Sequence, residues 1–289
     1  MYKEDTVTAG TSVELINTGY FHADGGSMFG ATPRQAWSRR YPCDEQNSCL
    51  LAMRAGLVIT GCGRIILIDS GVGDKQLERL KNTSYRFFDL TDICKALKAR
   101  GIAPEQVTDV VHTHLHFDHC GATTRYECGH VVPAFPEATC WVSRAQWENS
   151  LSPTPLEVDS YFTENIDAVG KSGRLHLIDS DCDLCETVRL KLYDGHTCGQ
   201  IAPCVKTLER TVVFAGDVIP LAANVSPLWI SAYDTHPLTS YHEKLRMLNE
   251  AAAGNQLIVH YHDAYTPCST VRKINNFFKA DSVTEVVSW

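Results

Sequence analysis

The sequence predicts an α/β protein built as a four-layer αββα sandwich, in which two β-sheets pack face to face and helices cover the outside. Predicted strands and helices alternate in two similar halves of the 289-residue chain. Neither an internal repeat nor a linker rich in Ser, Gly or Pro divides it, so we expect one domain over residues 1–289. A hydrophobic fraction of 44% is enough to fill a core of that size.

The first half contains the predicted strands of one sheet and one covering helix. Apolar, β-branched runs predict strands at residues 13–16, 56–60, 64–68 and 107–111. The two middle runs flank Gly61 and Gly63, which is typical of a β-hairpin. Residues 91–100 place apolar side chains, among them Ile93, at helical spacing, and Gly101 follows as a C-terminal cap.

The second half repeats this pattern. Further apolar runs predict strands at residues 139–142, 189–193, 211–215 and 257–259. A long helix is predicted over residues 238–253, where Leu245 and Leu248 share the apolar face, and a last helix over residues 271–279. Because both halves contain strands with helices between them, we expect each half to supply one sheet and its covering helices.

Charge and composition exclude several classes of partner. The chain has 26 Lys and Arg against 34 Asp and Glu, a net charge of −8, whereas proteins that bind nucleic acid or anionic membranes are usually basic. No apolar run approaches the roughly 18 residues of a membrane helix, and residues 1–5 do not resemble the start of a signal peptide. The 12 Cys are scattered through a large core-forming chain, which favours reduced, mostly buried thiols. We therefore expect a cytoplasmic protein without nucleic-acid or membrane partners.

The segment of residues 112–119 carries the chemistry, since it contains four His and one Asp in eight positions. Its core has the pattern HxHxDH. His114 and His116 are two residues apart at the end of a predicted strand, so their rings project to one side. Asp118 and His119 follow as the chain turns, so one loop can present two pairs of ligands to two adjacent metal ions. Imidazole and carboxylate ligands favour Zn²⁺ over Fe, Mn or Co.

Three later segments offer further ligands at the ends of predicted strands. They contain His196, Asp217 and the pair His260 and His262. Polar residues at the junctions of strands and loops are expected at a site on one sheet edge. A single histidine is more often structural, but together with the HxHxDH segment these residues predict a binuclear metal site.

The order of these motifs, HxHxDH, then Gly-His, then Gly-Asp, then a late His-Asp, resembles the metallo-β-lactamase superfamily of binuclear hydrolases. Residues 68–71, which include Asp69, are similar to the early acidic turn of that family. The resemblance extends over residues 13–265 and implies an αββα sandwich of the metallo-β-lactamase type. It also implies that Asp69 orients a ligand histidine through the second ring nitrogen. His112 lies outside the motif and is expected to be structural.

Carried over position by position, the resemblance implies a complete set of ligands. One metal would be bound by His114, His116 and His196, the second by Asp118, His119 and His262, and Asp217 would bridge both. His260 is the alternative to His262. We prefer His262, because the family has an Asp directly after this ligand and Asp263 directly follows His262 here.

Residues 22–30, together with residues 227–239, resemble lactonases of this superfamily that degrade N-acyl homoserine lactones. Met28, Phe29 and Trp37 are expected to line an apolar wall beside the metals. The alternatives for these side chains are a place in the core or a homodimer contact.

One feature departs from the lactonase pattern. Some of those enzymes have a Tyr shortly after the bridging Asp, where it polarises the substrate carbonyl, whereas Val218, Ile219 and Pro220 follow Asp217 here. Tyr233 or Tyr265 are the candidates to replace it, and a metal acting alone is the third alternative.

The resemblance implies a reaction in which a hydroxide held between two metal ions attacks the carbonyl of a lactone or other small ester. Asp118 would carry the proton to the leaving oxygen. The same scaffold also serves phosphotriesterases, arylesterases and thioesterases, which remain alternatives. A non-catalytic metal-binding protein is disfavoured, because all seven ligand positions are filled.

Overall fold

The computed structural model describes residues 10–283, so the expectation about residues 1–5 lies outside the described range. The strands are β1 (Ser12–Asp24), β2 (Ser48–Ile59), β3 (Ile65–Ile68), β4 (Arg86–Phe88), β5 (Asp109–Val111), β6 (Thr124–Glu127), β7 (His130–Pro133), β8 (Thr139–Ser143), β9 (Leu175–Ile178), β10 (Cys182–Cys185), β11 (Val188–Tyr193), β12 (Gln200–Lys206), β13 (Thr211–Phe214), β14 (Leu257–Val259), β15 (Cys268–Ile274) and β16 (Phe277–Val283). The helices are α1 (Gly25–Phe29), α2 (Arg34–Trp37), α3 (Leu77–Leu80), α4 (Ile93–Lys98), α5 (Phe117–Cys120), α6 (Arg144–Leu151), α7 (Thr163–Lys171) and α8 (Pro237–Gly254).

Two seven-stranded sheets carry these elements. The first has the strand order β4-β1-β2-β3-β5-β8-β9 and the second the order β10-β11-β12-β13-β14-β15-β16, while β6 and β7 form a separate hairpin. In the first sheet β3, β5, β8 and β9 run parallel. In the second sheet β13 and β14 are parallel to each other. The carboxyl ends of these strands therefore lie at a common edge within each sheet.

The core confirms the predicted αββα sandwich. Each sheet turns one apolar face toward the other, and side chains such as Val58 and Leu190 meet between them in one buried cluster. A second cluster covers the outer face of the first sheet and includes Leu97 of α4. A third packs α8, through Leu248, on the outer face of the second sheet. Burial of apolar surface at all three interfaces holds the four layers together.

Most of the predicted elements are present in the structure. The predicted hairpin is the antiparallel pair β2 and β3, and the predicted helix over residues 238–253 is α8. The helix predicted over residues 91–100 is the shorter α4, because the Asp92 side chain accepts hydrogen bonds from Cys94 N and Lys95 N and thereby caps its start.

The helix predicted over residues 271–279 is wrong, because this segment forms the hairpin of β15 and β16. Ile274 pairs with Phe277 across a two-residue loop, and Asn275 adopts φ 54°, a left-handed conformation that Asn tolerates. The edge of β14 accepts β15 as its next strand, and Val271 and Phe278 pack into the cluster beneath α8. Pairing and burial outweigh the weak helical pattern of the segment.

All 12 cysteines lie within the described range and are unpaired thiols. The expectation that most are buried is wrong, because only four are: Cys49, Cys120, Cys140 and Cys268. Between residues 10 and 283, no helix combines the length and the apolar character needed to cross a membrane.

Candidate metal centre

The structure brings the predicted ligands together where strands of the two sheets end. The HxHxDH segment follows β5, and Asp69 follows the parallel strand β3 beside it. From the second sheet, His196 follows β11, and Asp217 and His262 follow the parallel strands β13 and β14. The two sheets therefore supply side chains to one edge of the sandwich from both sides of the core.

The ligand atoms form compact groups. The candidate donor atoms of His114, His116 and His196 all lie within 4.8 Å of one another, as do those of Asp118, His119 and His262. His196 Nε2 and His116 Nδ1 are 3.3 Å apart. Two nitrogens bound at about 2.0–2.1 Å to one tetrahedral ion are about 3.3–3.4 Å apart, so this spacing fits a shared metal.

Asp217 lies between the two groups. Its Oδ1 atom is 3.3 Å from His119 Nε2 and 3.4 Å from His262 Nε2, whereas Oδ2 is 3.5 Å from His196 Nε2. Burial opposes ionisation of Asp217, but the imidazoles of His262, His119 and His196 hold its pKa well below the usual range. Asp217 is therefore a buried carboxylate with one oxygen turned toward each group, which is the arrangement that a bridging ligand requires.

Several atoms at the centre of the site are buried without a partner. Among residues 10–283, neither His114 Nε2, His119 Nε2 nor Asp217 Oδ1 has a hydrogen-bond partner. Such atoms are rare in folded proteins, since each loses its hydration without compensation. Divalent cations would satisfy all three, and a donor set of imidazoles and carboxylates suits Zn²⁺. The residues present therefore fit bound metal.

The second ring nitrogens of two histidines face carboxylates. His119 Nδ1 lies 3.0 Å from Asp69 Oδ2, as the sequence predicts for Asp69. His196 Nδ1 lies 3.0 Å from Asp234 Oδ1, a contact that the sequence does not predict. A carboxylate at this position orients the ring and places the proton on the nitrogen that faces it, which frees Nε2 to bind metal.

His262, and not His260, faces the carboxylates of the site. His260 is fully buried, and both of its ring nitrogens have partners elsewhere: Nε2 lies 2.8 Å from Ser269 Oγ and Nδ1 3.2 Å from Ile219 O. His112 is also buried, and burial lowers the pKa of its imidazole to about 4, so it stays neutral at physiological pH. Neither His260 nor His112 belongs to a group of candidate ligands among residues 10–283.

The loop that carries His262 is held by Arg54 of β2, a residue that the sequence analysis did not single out. The buried Arg54 guanidinium donates hydrogen bonds to three backbone carbonyl oxygens, those of His260, Tyr261 and Asp263. In addition, His262 Nδ1 lies 3.0 Å from Ala52 O on the same strand. The position of His262 therefore depends on β2, about 210 residues away along the chain.

A cavity opens beside the ligands, and one of its walls is apolar. Phe21, Met28, Phe117 and Leu156 contribute to this wall. Phe29 and Trp37 do not line the cavity, which corrects that expectation: their rings stack at 4.7 Å in the layer behind Met28. At 0% and 1% exposure they are core residues, so a homodimer contact through them is also excluded.

Two tyrosines add hydroxyl groups to the cavity wall. Tyr85 and Tyr233 both line the cavity, and their hydroxyl oxygens are 3.1 Å apart. Burial raises the pKa of both hydroxyls, so they remain protonated and able to donate hydrogen bonds. Tyr265 does not line this cavity, because its ring packs edge-on against Tyr41. Of the two tyrosines considered from the sequence, only Tyr233 lines the cavity.

Glu157 is a charged cavity residue that sequence reasoning missed. Its Oε2 atom lies 3.5 Å from His116 Nε2 and accepts hydrogen bonds from Thr197 Oγ1 at 2.6 Å, Tyr161 OH at 2.9 Å and Asn149 Nδ2 at 2.9 Å. Burial opposes ionisation, but the nearby His116 imidazole and the hydrogen bonds from Thr197 and Tyr161 lower the pKa of Glu157 to about 2. Glu157 therefore stays a carboxylate. It belongs to the loop between α6 and α7 rather than to a strand end, so no local pattern points to it.

Comparison with known proteins agrees with this geometry. The family model described as the metallo-beta-lactamase superfamily matches residues 54–254. The chain is 34% identical over 87 residues to the N-acyl homoserine lactonase AttM of Azorhizobium caulinodans, and 36% identical over 74 residues to AttM of Rhizobium johnstonii. These matches cover 30% and 26% of this chain, and they span only 29% and 25% of the length of those relatives.

Solved structures of similar shape extend over nearly the whole chain. A probable metal-dependent hydrolase from Staphylococcus aureus superimposes with a TM-score of 0.83 at 25% identity, covering 95% of this chain and 98% of the other. The dizinc quorum-quenching lactonase AidC, solved with a product, superimposes with a TM-score of 0.78 at 16% identity, covering 95% of both chains. At that identity the likeness to AidC shows a shared fold only.

Proposed function

Because the chain belongs to the metallo-beta-lactamase superfamily, we propose that it is a metal-dependent hydrolase that opens lactone rings, with N-acyl homoserine lactones as its substrates. The observation that carries this proposal is the convergence of two ligand groups on Asp217, with His114 Nε2, His119 Nε2 and Asp217 Oδ1 buried and unpartnered. The partial matches to two N-acyl homoserine lactonases support the substrate class.

We assign two divalent cations, preferably Zn²⁺, to these groups. The first would be held by His114, His116 and His196, the second by Asp118, His119 and His262, and Asp217, which faces both groups, would be a ligand to each. When bound, such cations would lower the pKa of a coordinated water toward neutrality and polarise a substrate carbonyl.

The reaction adds water across an ester bond. The hydroxyl joins the carbonyl carbon, the ring C–O bond breaks, and the leaving alkoxide needs a proton. Asp118 lies at the cavity surface with 14% of its side chain exposed, and its Oδ2 atom is 3.5 Å from His262 Nε2. We assign to the Asp118 carboxylate the transfer of this proton, which it takes from the attacking water and passes to the alkoxide, since it both contacts the ligands and reaches the cavity.

The Tyr233 hydroxyl is assigned the second polar role, donating a hydrogen bond to the carbonyl oxygen as negative charge develops on it. Its hydroxyl partner Tyr85, 3.1 Å away, orients it. The apolar wall of the cavity, which includes Met28 and Phe117, suits the aliphatic part of an acylated substrate.

Tyr233→Phe is expected to lower kcat/KM for an acyl homoserine lactone by about 10²-fold, the effect of losing one donor to a developing oxyanion. The metal content should not change, because the hydroxyl is not assigned as a ligand. Tyr265→Phe is the matched control: it removes the same hydroxyl outside the cavity, so kcat/KM should stay near that of the wild type. Equal activities of the two variants would contradict the role of Tyr233.

The direct test of the proposed function is His116→Ala. Metal analysis by mass spectrometry should find two divalent ions per wild-type chain and fewer in the variant. Turnover of an acyl homoserine lactone, followed by proton release, should fall by about 10³-fold, since losing about 4 kcal/mol of transition-state stabilisation at about 1.4 kcal/mol per factor of ten has this effect. Full activity in a metal-free variant would refute a metal-dependent mechanism.

A substrate panel separates lactones from the alternatives. Wild-type protein loaded with Zn²⁺, and separately with Mn²⁺ or Co²⁺, should hydrolyse lactones with a higher kcat/KM than aryl esters, thioesters or phosphotriesters. A preference for a phosphotriester or thioester would keep the metal centre but replace the proposed substrate class.

A further inference from the structure

We propose that Glu157 is a positioning residue for the first metal site, the one formed by His114, His116 and His196. It would stabilise this site and not the second, because it joins the two loops that carry His116 and His196. This inference rests on the proposed function, because it assumes that these histidines bind metal. It adds a residue to the site that belongs to neither ligand group.

The contacts of Glu157 link the two loops directly. Its Oε2 atom faces His116 Nε2 at 3.5 Å, in the segment after β5. The same oxygen accepts a hydrogen bond from Thr197 Oγ1 at 2.6 Å, and Thr197 follows His196 in the chain. One carboxylate oxygen therefore ties together segments that are 80 residues apart in sequence and come from different sheets.

The geometry of His116 explains why a carboxylate is needed here. His116 Nδ1 lies 3.3 Å from His196 Nε2, so this nitrogen must be unprotonated if both are to bind the same ion. The proton of the neutral ring then resides on Nε2, which is buried, has no hydrogen-bond partner among residues 10–283 and lies 3.5 Å from the Glu157 carboxylate. An acceptor at this position favours that tautomer and makes Nδ1 a stronger ligand.

In the described part of the chain, Glu157 is a buried carboxylate without a Lys or Arg partner. Its exposure is 3%, and among residues 10–283 neither a Lys nor an Arg side chain forms an ion pair with it. Its remaining contacts are neutral hydrogen-bond donors: Asn149, Tyr161 and Thr197. A buried carboxylate without a cation is costly. A cation bound to His116 would compensate the charge of Glu157. Metal binding would therefore stabilise the hydrogen bonds to Glu157, and these hydrogen bonds would in turn favour metal binding.

The second group of ligands is independent of Glu157. His119 has its own carboxylate, Asp69, at 3.0 Å, and His262 Nδ1 faces the carbonyl oxygen of Ala52 at 3.0 Å. The proposal therefore predicts an effect on one metal ion and not on the other, which distinguishes positioning from a general loss of structure.

The test is Glu157→Gln in the full chain, with Glu148→Gln as the matched control on the exposed surface of α6. Each metal-free protein is titrated with Zn²⁺ in competition with a chromophoric chelator. For Glu157→Gln we expect one of two dissociation constants to rise by about 10–100-fold, the usual effect of losing a partner of a metal ligand, and the other to stay unchanged. Both constants should be unchanged in Glu148→Gln.

The identity of the weakened site is read by NMR of protein containing ¹⁵N-labelled histidine. On addition of one equivalent of Zn²⁺, Glu157→Gln should show metal-shifted ring nitrogens for His119 and His262, but not for His116. Glu157→Asp, which keeps the charge and shortens its reach, should show an intermediate dissociation constant. This variant replaces the first if Glu157→Gln does not fold.

Two results would overturn the inference: unchanged affinity at both sites in Glu157→Gln, or an equal loss at both. Failure of the proposed function looks different, because wild-type protein would then bind no pair of Zn²⁺ ions or would bind them without hydrolysing any lactone.

Discussion

Asp217→Asn is expected to lower kcat/KM for lactone hydrolysis by about 10³-fold or more, because an amide cannot turn a charged oxygen toward both ligand groups. Oδ1 of Asp217 faces His119 and His262, and Oδ2 faces His196. An asparagine has one oxygen and one N–H₂ group, so one metal ion loses a ligand and meets a donor instead. A loss of about 4 kcal/mol in transition-state stabilisation corresponds to this change in rate.

The measurement combines steady-state kinetics with metal analysis of the same samples. Asp159→Asn, an exposed replacement of the same type in the loop beside the cavity, is the control and should keep both activity and metal content. A variant at Asp217 that holds two ions and turns over at the wild-type rate would show that this carboxylate does not bridge.

Arg54→Met is expected to lower the free energy of unfolding by about 3 kcal/mol or more. The replacement keeps much of the length of the side chain but removes every donor, and three buried carbonyl oxygens, those of His260, Tyr261 and Asp263, lose a partner. Each unsatisfied buried acceptor costs about 1–3 kcal/mol. Because these carbonyls belong to the loop of His262, metal binding to the second group should weaken as well.

Denaturant unfolding of the metal-free protein measures the first effect, and chelator competition measures the second. Arg39→Met, at an exposed position, should change the free energy of unfolding by no more than about 0.5 kcal/mol. If Arg54→Met changes the free energy of unfolding as little as Arg39→Met does, other contacts hold the loop of His262, and the three hydrogen bonds from Arg54 do not stabilise it.

The ligand set was accessible to sequence reasoning because its signals are local. His114, His116, Asp118 and His119 fall within six consecutive positions after one strand, and His196 and Asp217 each follow a Gly after a later strand. Strands of a sandwich that end at the same edge bring such residues together without any knowledge of the packing details. The order of the motifs therefore predicted both the fold and the candidate site.

The residues that hold these ligands were not accessible in the same way. Glu157 lies in a loop, Asp234 in the segment before α8, and Arg54 inside a strand, and none of them repeats a pattern that points to a metal. Phe29 and Trp37 were singled out from the sequence but do not line the cavity. Their apolar character fits either a cavity wall or a core, and only the packing shows that they are core residues. The hairpin of β15 and β16 likewise depends on the open edge of β14.

The sequence by itself therefore determined which atoms can bind metal and which elements carry them, because residue type and strand periodicity are properties of short segments. The tertiary structure alone decided that Glu157 and Arg54 support the site and that Phe29 and Trp37 lie in the core, whereas the resemblance already favoured His262 over His260. Those choices depend on contacts between segments up to about 200 residues apart, and the free energy of such contacts arises only when the two sheets have packed together.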